Sequence, residues 1–163
     1  MIARACPVPR DAFLARYVDQ GATYTDCFEV MHPGAVALPE FVEAFYTTWL
    51  FRLERLVLSV SQRRLIRDSD AAALASGAAD SFAVWDVEDR GTTQVLLRDV
   101  SGHTLSYLAV APKDGGVTRL LFGSVVVPAP GAALPGWVRL TIPLHRFYSK
   151  LLLRAAERKM RYG

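Results

Sequence analysis

A lone guanidinium in an apolar strand is the first chemical signal in this sequence. Arg98 lies in a strand read over 93–100. Suppose each hairpin of the surrounding meander closes on its shortest turn, at Arg90-Gly91, Ser101-Gly102 and Asp114-Gly115. Then Trp85 pairs with Leu96, Leu96 with Tyr107, and Tyr107 with Phe122, as one row across a sheet. Ala83, Arg98, Leu105 and Ser124 form the next row on the same face. A bulge in any turn would swap the faces beyond it, because side chains alternate with a period of two. A buried arginine needs an anionic partner. Glu40, Glu43, Glu54 and the carboxylate of a bound ligand are the candidates, and a position at the sheet rim is the alternative. As an anchor, Arg98 would give a charge-assisted, bidentate hydrogen bond that orients a ligand. With Trp85, Leu96, Tyr107 and Phe122 as a wall, and Tyr148 from the last helix, it forms a ligand-binding set for a small apolar molecule carrying one anionic group. The same aromatics also read as cross-strand core packing.

Other chemistry has less behind it. Arg146, Lys150, Arg154 and Arg158 are each four residues apart, so they share one helix face. From Arg139 onward seven basic residues stand against Glu157 alone, while the whole chain carries only +3. The basic character belongs to one segment, and the rest of the chain is net acidic. A membrane surface or a protein partner could meet such a face, and so could water. Nucleic acid is disfavoured, because a single helix contributes the charge. Asp86, Glu88 and Asp99 are carboxylates on neighbouring strands, a weak hint of acid–base chemistry. His32, His103 and His145 are isolated from one another and from cysteine, so no metal is expected, and no phosphate- or dinucleotide-binding loop implies a cofactor. Cys6 and Cys27 form no CxxC pair and read as free thiols.

The elements that must position these groups follow from periodicity. A short helical piece is expected within 10–22 and a strand over Thr23–Met31. The clearest helix runs over Leu38–Val60, with Pro39 and Glu40 in its first turn. Its stripe is Val42, Phe45, Trp49, Leu53, Leu56 and Val60. A short helix over 68–77 ends at Gly77. Strands over 81–89, 93–100, 104–111 and 117–127 make an antiparallel meander. Two helical pieces close the chain, a short one at Trp137–Leu140 and a long one from Pro143 to Arg161. Both faces of the meander are apolar, so both need cover: helices on one side, and on the other the N-terminal segment, a second subunit in a homodimer through that sheet face, or a ligand.

With 163 residues, 52% hydrophobic and 21% charged, the chain is expected to fold as one α+β domain over 1–163, an antiparallel sheet packed against a long central helix and a long C-terminal helix. No signal peptide or membrane-spanning run is read, which points to the cytoplasm. The order of elements resembles the helix-grip fold of the START and Bet v 1-like families, which include polyketide cyclases and lipid carriers. The phrases Phe122-Gly123-Ser124-Val125-Val126-Val127-Pro128 and His145-Arg146-Phe147-Tyr148-Ser149 look like uncharacterised bacterial proteins placed near them. The resemblance implies a hydrophobic cavity between the sheet and the C-terminal helix, used for binding a small apolar molecule or, alternatively, for cyclase- or hydrolase-like catalysis. Docking through the basic C-terminal helix is a third possibility. No catalytic residue follows from it.

Overall fold

A computed structural model describes residues 2–18, 20, 23–52, 66–129, 131–134 and 136–163, apart from the side chains of Trp137 and Val138. Its centre is a seven-stranded antiparallel sheet: β1 (Arg4–Ala5), β2 (Tyr24–Pro33), β3 (Ser81–Phe82), β4 (Trp85–Arg90), β5 (Gln94–Asp99), β6 (Thr104–Lys113) and β7 (Val117–Val126). The strand order is β1-β2-β7-β6-β5-β4-β3. The helices fully within the described residues are α1 (Leu38–Tyr46), α2 (Asp68–Ser76) and α3 (Gly136–Tyr162). They pack on one face, so the layout is α+β and helix-grip-like.

The expected long central helix is interrupted. α1 buries six of its nine residues, with Phe41, Val42, Phe45 and Tyr46 turned into the core. It stops at Thr47–Thr48, and helical backbone resumes over 49–52. The threonine hydroxyls cause the break. Thr47 Oγ1 donates back to the Glu43 carbonyl at 2.5 Å, and Thr48 Oγ1 donates to the Phe45 carbonyl at 3.0 Å while accepting from Phe51 N–H at 3.1 Å. Thr48 thus caps the next turn, as hydroxyl side chains do when they compete with the helical ladder. The change of direction turns Trp49 out of the core stripe and into solvent. Positions 53–60 of the expected helix lie outside the described residues.

At the other end the correction runs in the opposite sense. The two C-terminal pieces are one continuous helix, and Pro143 sits inside it. Its ring removes one amide donor, but the flanking residues keep the helical path. α2 matches its expected span and stops at Gly77, which adopts φ +78°. The expected first strand of the meander is split into β3 and β4 at Ala83, a non-glycine at φ +55°.

Register decides which side chains share a face. Leu96 pairs with Tyr107 as the two-residue turn implies. The other two hairpins differ. A bulge at Glu88 lies between the Val87–Leu97 and Asp89–Leu96 pairs, so Trp85 pairs with Asp99. The last hairpin loop has three residues, Asp114, Gly115 and Gly116, with both glycines at positive φ, so Tyr107 faces Gly123 and Phe122 faces Leu108. Each irregularity flips every side chain beyond it. The expected row is therefore divided: Trp85 and Phe122 lie on the helix face, and Leu96 and Tyr107 on the other.

The helix face holds the larger core, in which Phe45 meets Phe41, Tyr46, Phe51 and Phe122 with ring centroids 4.8–6.5 Å apart. The opposite face is covered by the N-terminal segment, the first of the three covers expected for it. This strap carries a 3-10 helix over Phe13–Tyr17 and buries Ala12 and Leu14 against Leu96, Leu105, Tyr107 and Val125.

Candidate functional site

α3 has one side that packs into the fold and one that does not. Its inner side is buried through Ser149, Leu152, Leu153, Ala156 and Glu157. Steps of three and four along the opposite side place Leu140, Leu144, Phe147 and Leu151 in one row. Leu140 is 81% exposed, Leu144 70% and Phe147 61%, and Trp49 beside them is 68% exposed. Single exposed leucines are ordinary; a contiguous row on one helix is not.

The row continues into an open groove of about 620 Å³ between residues 49–50 and the C-terminal half of α3. Trp49, Leu50, Leu151, Ala155 and Tyr162 give it apolar sides, and Arg154, Arg158 and Lys159 supply the charge. The Lys159 ammonium is already held, donating to the Thr47 carbonyl at 3.1 Å and to Thr47 Oγ1 at 2.6 Å. Arg154 and Arg158 have no ion pair among the described residues, and neither do Arg139 and Arg146. The acid of this helix, Glu157, is buried on the inner side, 2.6 Å from the Arg161 guanidinium and 3.5 Å from His32 Nδ1. The outer side of α3 thus offers apolar surface bordered by unneutralised arginine.

The site read from the sequence is not assembled in this way. Arg98 lies on the strap face, away from the helices. Its guanidinium is fully engaged: with Glu88, with the Gly102 carbonyl at 2.8 Å and with the Tyr17 hydroxyl at 2.8 Å. The internal acid is therefore Glu88, carried by the bulge, rather than Glu40 or Glu43; Glu54 lies outside the described residues. Burial pushes the Glu88 carboxyl up, but hydrogen bonds from Tyr17 and Arg98 and the charge of Arg98 outweigh it and hold the group below its ordinary value. Tyr107 and Leu96 belong to the core under the strap, where Tyr107 donates to Gln94 Oε1 at 3.0 Å. Trp85, Phe122 and Tyr148 belong to the core under the helices. The six residues of the expected set thus fall on two sides of the sheet.

Sequence reading missed a polar cluster where β2 and β7 meet α3. Asp26 and Ser124 are cross-strand partners. The Asp26 carboxylate accepts from Ser124 Oγ at 2.6 Å, from Ser124 N–H at 3.2 Å and from the Tyr24 hydroxyl at 2.7 Å. His145 Nε2 lies 2.8 Å from Ser124 Oγ, 3.6 Å from Asp26 Oδ2 and 3.4 Å from Ser149 Oγ. Burial first, and then the bond to Asp26, raise the Tyr24 hydroxyl well above its ordinary value, so it stays a donor. The residue types are those of a serine hydrolase, but the arrangement differs. In a catalytic relay the acid orients the histidine through its other ring nitrogen. Here Asp26 and Ser124 both approach Nε2, and the serine proton already bonds to the carboxylate. The cluster ties α3 to the sheet. Its signal in the sequence was faint: an aspartate and a serine in two apolar strands, and a histidine in a helix.

Among the described residues no helix is long and apolar enough to cross a membrane, and no cluster of three metal-ligating side chains occurs. Compared with known proteins, the chain matches no family model, no curated protein and no solved structure.

Proposed function

We propose that this protein docks on an anionic lipid surface through the outer side of α3. The observation that carries the reading is the row Leu140, Leu144, Phe147 and Leu151, exposed along a helix on which Arg139, Arg146, Arg154 and Arg158 have no ion pair among the described residues. Apolar side chains in that pattern gain by leaving water for the headgroup–acyl boundary, and flanking Arg and Lys gain from anionic headgroups. The inner side of the helix is fixed to the sheet, so the docking face is already ordered and no folding entropy is lost on contact. The helix-grip-like layout supports kinship with the START and Bet v 1-like families, as the element order implied. The aromatic filling of the described core gives the docking reading more support than an interior ligand cavity.

Vesicle sedimentation tests this. The protein should pellet with vesicles of phosphatidylglycerol in phosphatidylcholine and stay free with phosphatidylcholine alone. Phe147→Ser should abolish pelleting and leave thermal stability nearly unchanged, because the side chain is 61% exposed. Equal binding to neutral vesicles, or unaltered binding by F147S, would overturn the reading.

A second reading has its own observation. The groove at Trp49, Leu151 and Tyr162 falls within the size range of small-molecule sites. A single-chain anionic amphiphile would place its tail there and its head at Arg154 or Arg158. Calorimetric titration of a fatty acid below its micelle concentration separates the two, since only the groove binds it without a bilayer.

A further inference from the structure

Both cysteines of the chain are free, and the fold brings them face to face. The β1–β2 register pairs Arg4 with Glu29 and Ala5 with Phe28, so the next step sets Cys6 opposite Cys27. The Cys6 amide donates to the Cys27 carbonyl at 3.0 Å, which makes them a hydrogen-bonded cross-strand pair. In such a pair the Cα atoms stand about 5.5 Å apart. A disulfide spans roughly 4.4–6.8 Å between Cα atoms, so this separation lies within its reach.

The surroundings of the two thiols differ. Cys6 is only partly buried at the root of the strap, and Cys27 is buried beneath it. The Arg119 guanidinium, paired with Glu29, also reaches the Cys6 sulfur. The hydrogen bond from Cys27, with help from Arg119 and against burial and Glu29, holds the Cys6 thiol below its ordinary value. The same hydrogen bond, now given up on ionisation, and burial push Cys27 up. Accessibility and thiolate character therefore fall on one member of the pair and protection on the other, the division expected of an attacking and a resolving cysteine.

We propose that Cys6 and Cys27 form a reversible disulfide by exchange with a low-molecular-weight disulfide. The Cys6 thiolate attacks one sulfur of that disulfide, whose S–S bond breaks and releases one small thiolate. Cys27 then attacks the Cys6 sulfur of the mixed disulfide and expels the second. The two protein thiols are oxidised, the small disulfide is reduced to two thiols, and the protons of Cys6 and Cys27 end on those products. Closing the bond pins the strap to β2 at its root.

The test is to incubate the full chain with oxidised glutathione under native conditions, followed by thiol titration, intact mass and a non-reducing digest. Loss of both free thiols with a peptide joining Cys6 to Cys27, reversed by a reducing agent, is the expected result. Cys27→Ala, which keeps an apolar residue under the strap, should accumulate a glutathione adduct on Cys6. Cys6→Ser should leave Cys27 reduced until the chain is unfolded. Oxidation that yields only joined chains, a lasting adduct on Cys6 of the unaltered protein, or rapid reaction of Cys27 in C6S would each overturn the proposal.

Discussion

On the helix side of the sheet, aromatic rings meet aromatic rings; on the strap side, a thin segment is held down by Leu14, a few smaller apolar contacts and a set of charges. Phe45 alone touches four other rings there. Across the sheet, Leu14 sits on Gly123, and around it Tyr17 and Arg98 clasp Glu88, Arg4 and Arg119 clasp Glu29, and Gln94 accepts from the Phe13 amide at 3.0 Å. The two sides bury comparable residue types in their strands. What differs is the thickness of the cover. Helices bring enough apolar surface to close a face by packing alone. A strap of a dozen residues does not, and the charged and polar bonds around its edge fix its position.

Three changes probe that contrast. Phe45→Ala should have the largest effect, about 3–5 kcal/mol of unfolding free energy by urea titration, since it empties a ring-lined site among neighbours that cannot collapse. A loss no greater than that of a surface substitution would mean that the helix side is not the main core. Gly123→Ala probes the strap. A Cβ there would stand 2.5 Å from Leu14 Cδ2 and 2.9 Å from the Asp26 carbonyl oxygen. Leucine can shift but main chain cannot, so a loss of about 1–3 kcal/mol is expected, together with faster amide exchange across 6–17. Exchange that rises instead under α1 would erase the distinction between the covers.

The smallest effect is electrostatic and depends on pH. Glu88 and Glu29 are both held below their ordinary value in the folded chain, Glu29 because Arg4 and Arg119 outweigh its burial. As pH falls, the unfolded chain takes up these protons first. The contribution is therefore complete above about 4.5, the ordinary value, and lost as pH drops through the lower folded-state values. Glu88→Gln should cost about 1 kcal/mol at neutral pH, because the site is partly open to water, and should flatten the acid limb of the stability curve. An unchanged acid limb would remove the charges from the account of how the strap is held.

The sequence resolved some of these differences and not others. Element type was legible wherever periodicity and punctuation agreed: β2, α2 with its Gly77 stop, the meander and the helical nature of 143–161. The cover of the second sheet face by the N-terminal segment was among the expectations. What failed was parity. One bulged residue at Glu88 and one extra glycine at 116 moved Trp85 and Phe122 to the opposite face from Tyr107 and Arg98, and no composition rule marks either. Thr47 and Thr48 are ordinary in a helix until their hydroxyls bond backward. The outer row of α3 repeats at helical spacing as a core stripe would, yet Leu144, Phe147 and Leu151 face outward. A pattern gives the period of a helix, and only the tertiary arrangement says which of two apolar sides faces inward.

The strap also imposes an order of events during synthesis. Leu14, Phe13 and Tyr17 leave the ribosome well before their partners Gly123, Gln94 and Glu88. For most of translation that segment has nothing to lie against. The face it will cover is assembled last, when β7 inserts between β2 and β6 at the middle of the sheet. Until then β2 stays without its main neighbour, with unpaired main-chain groups and apolar side chains on both sides, and the nascent chain is open to pairing with other chains.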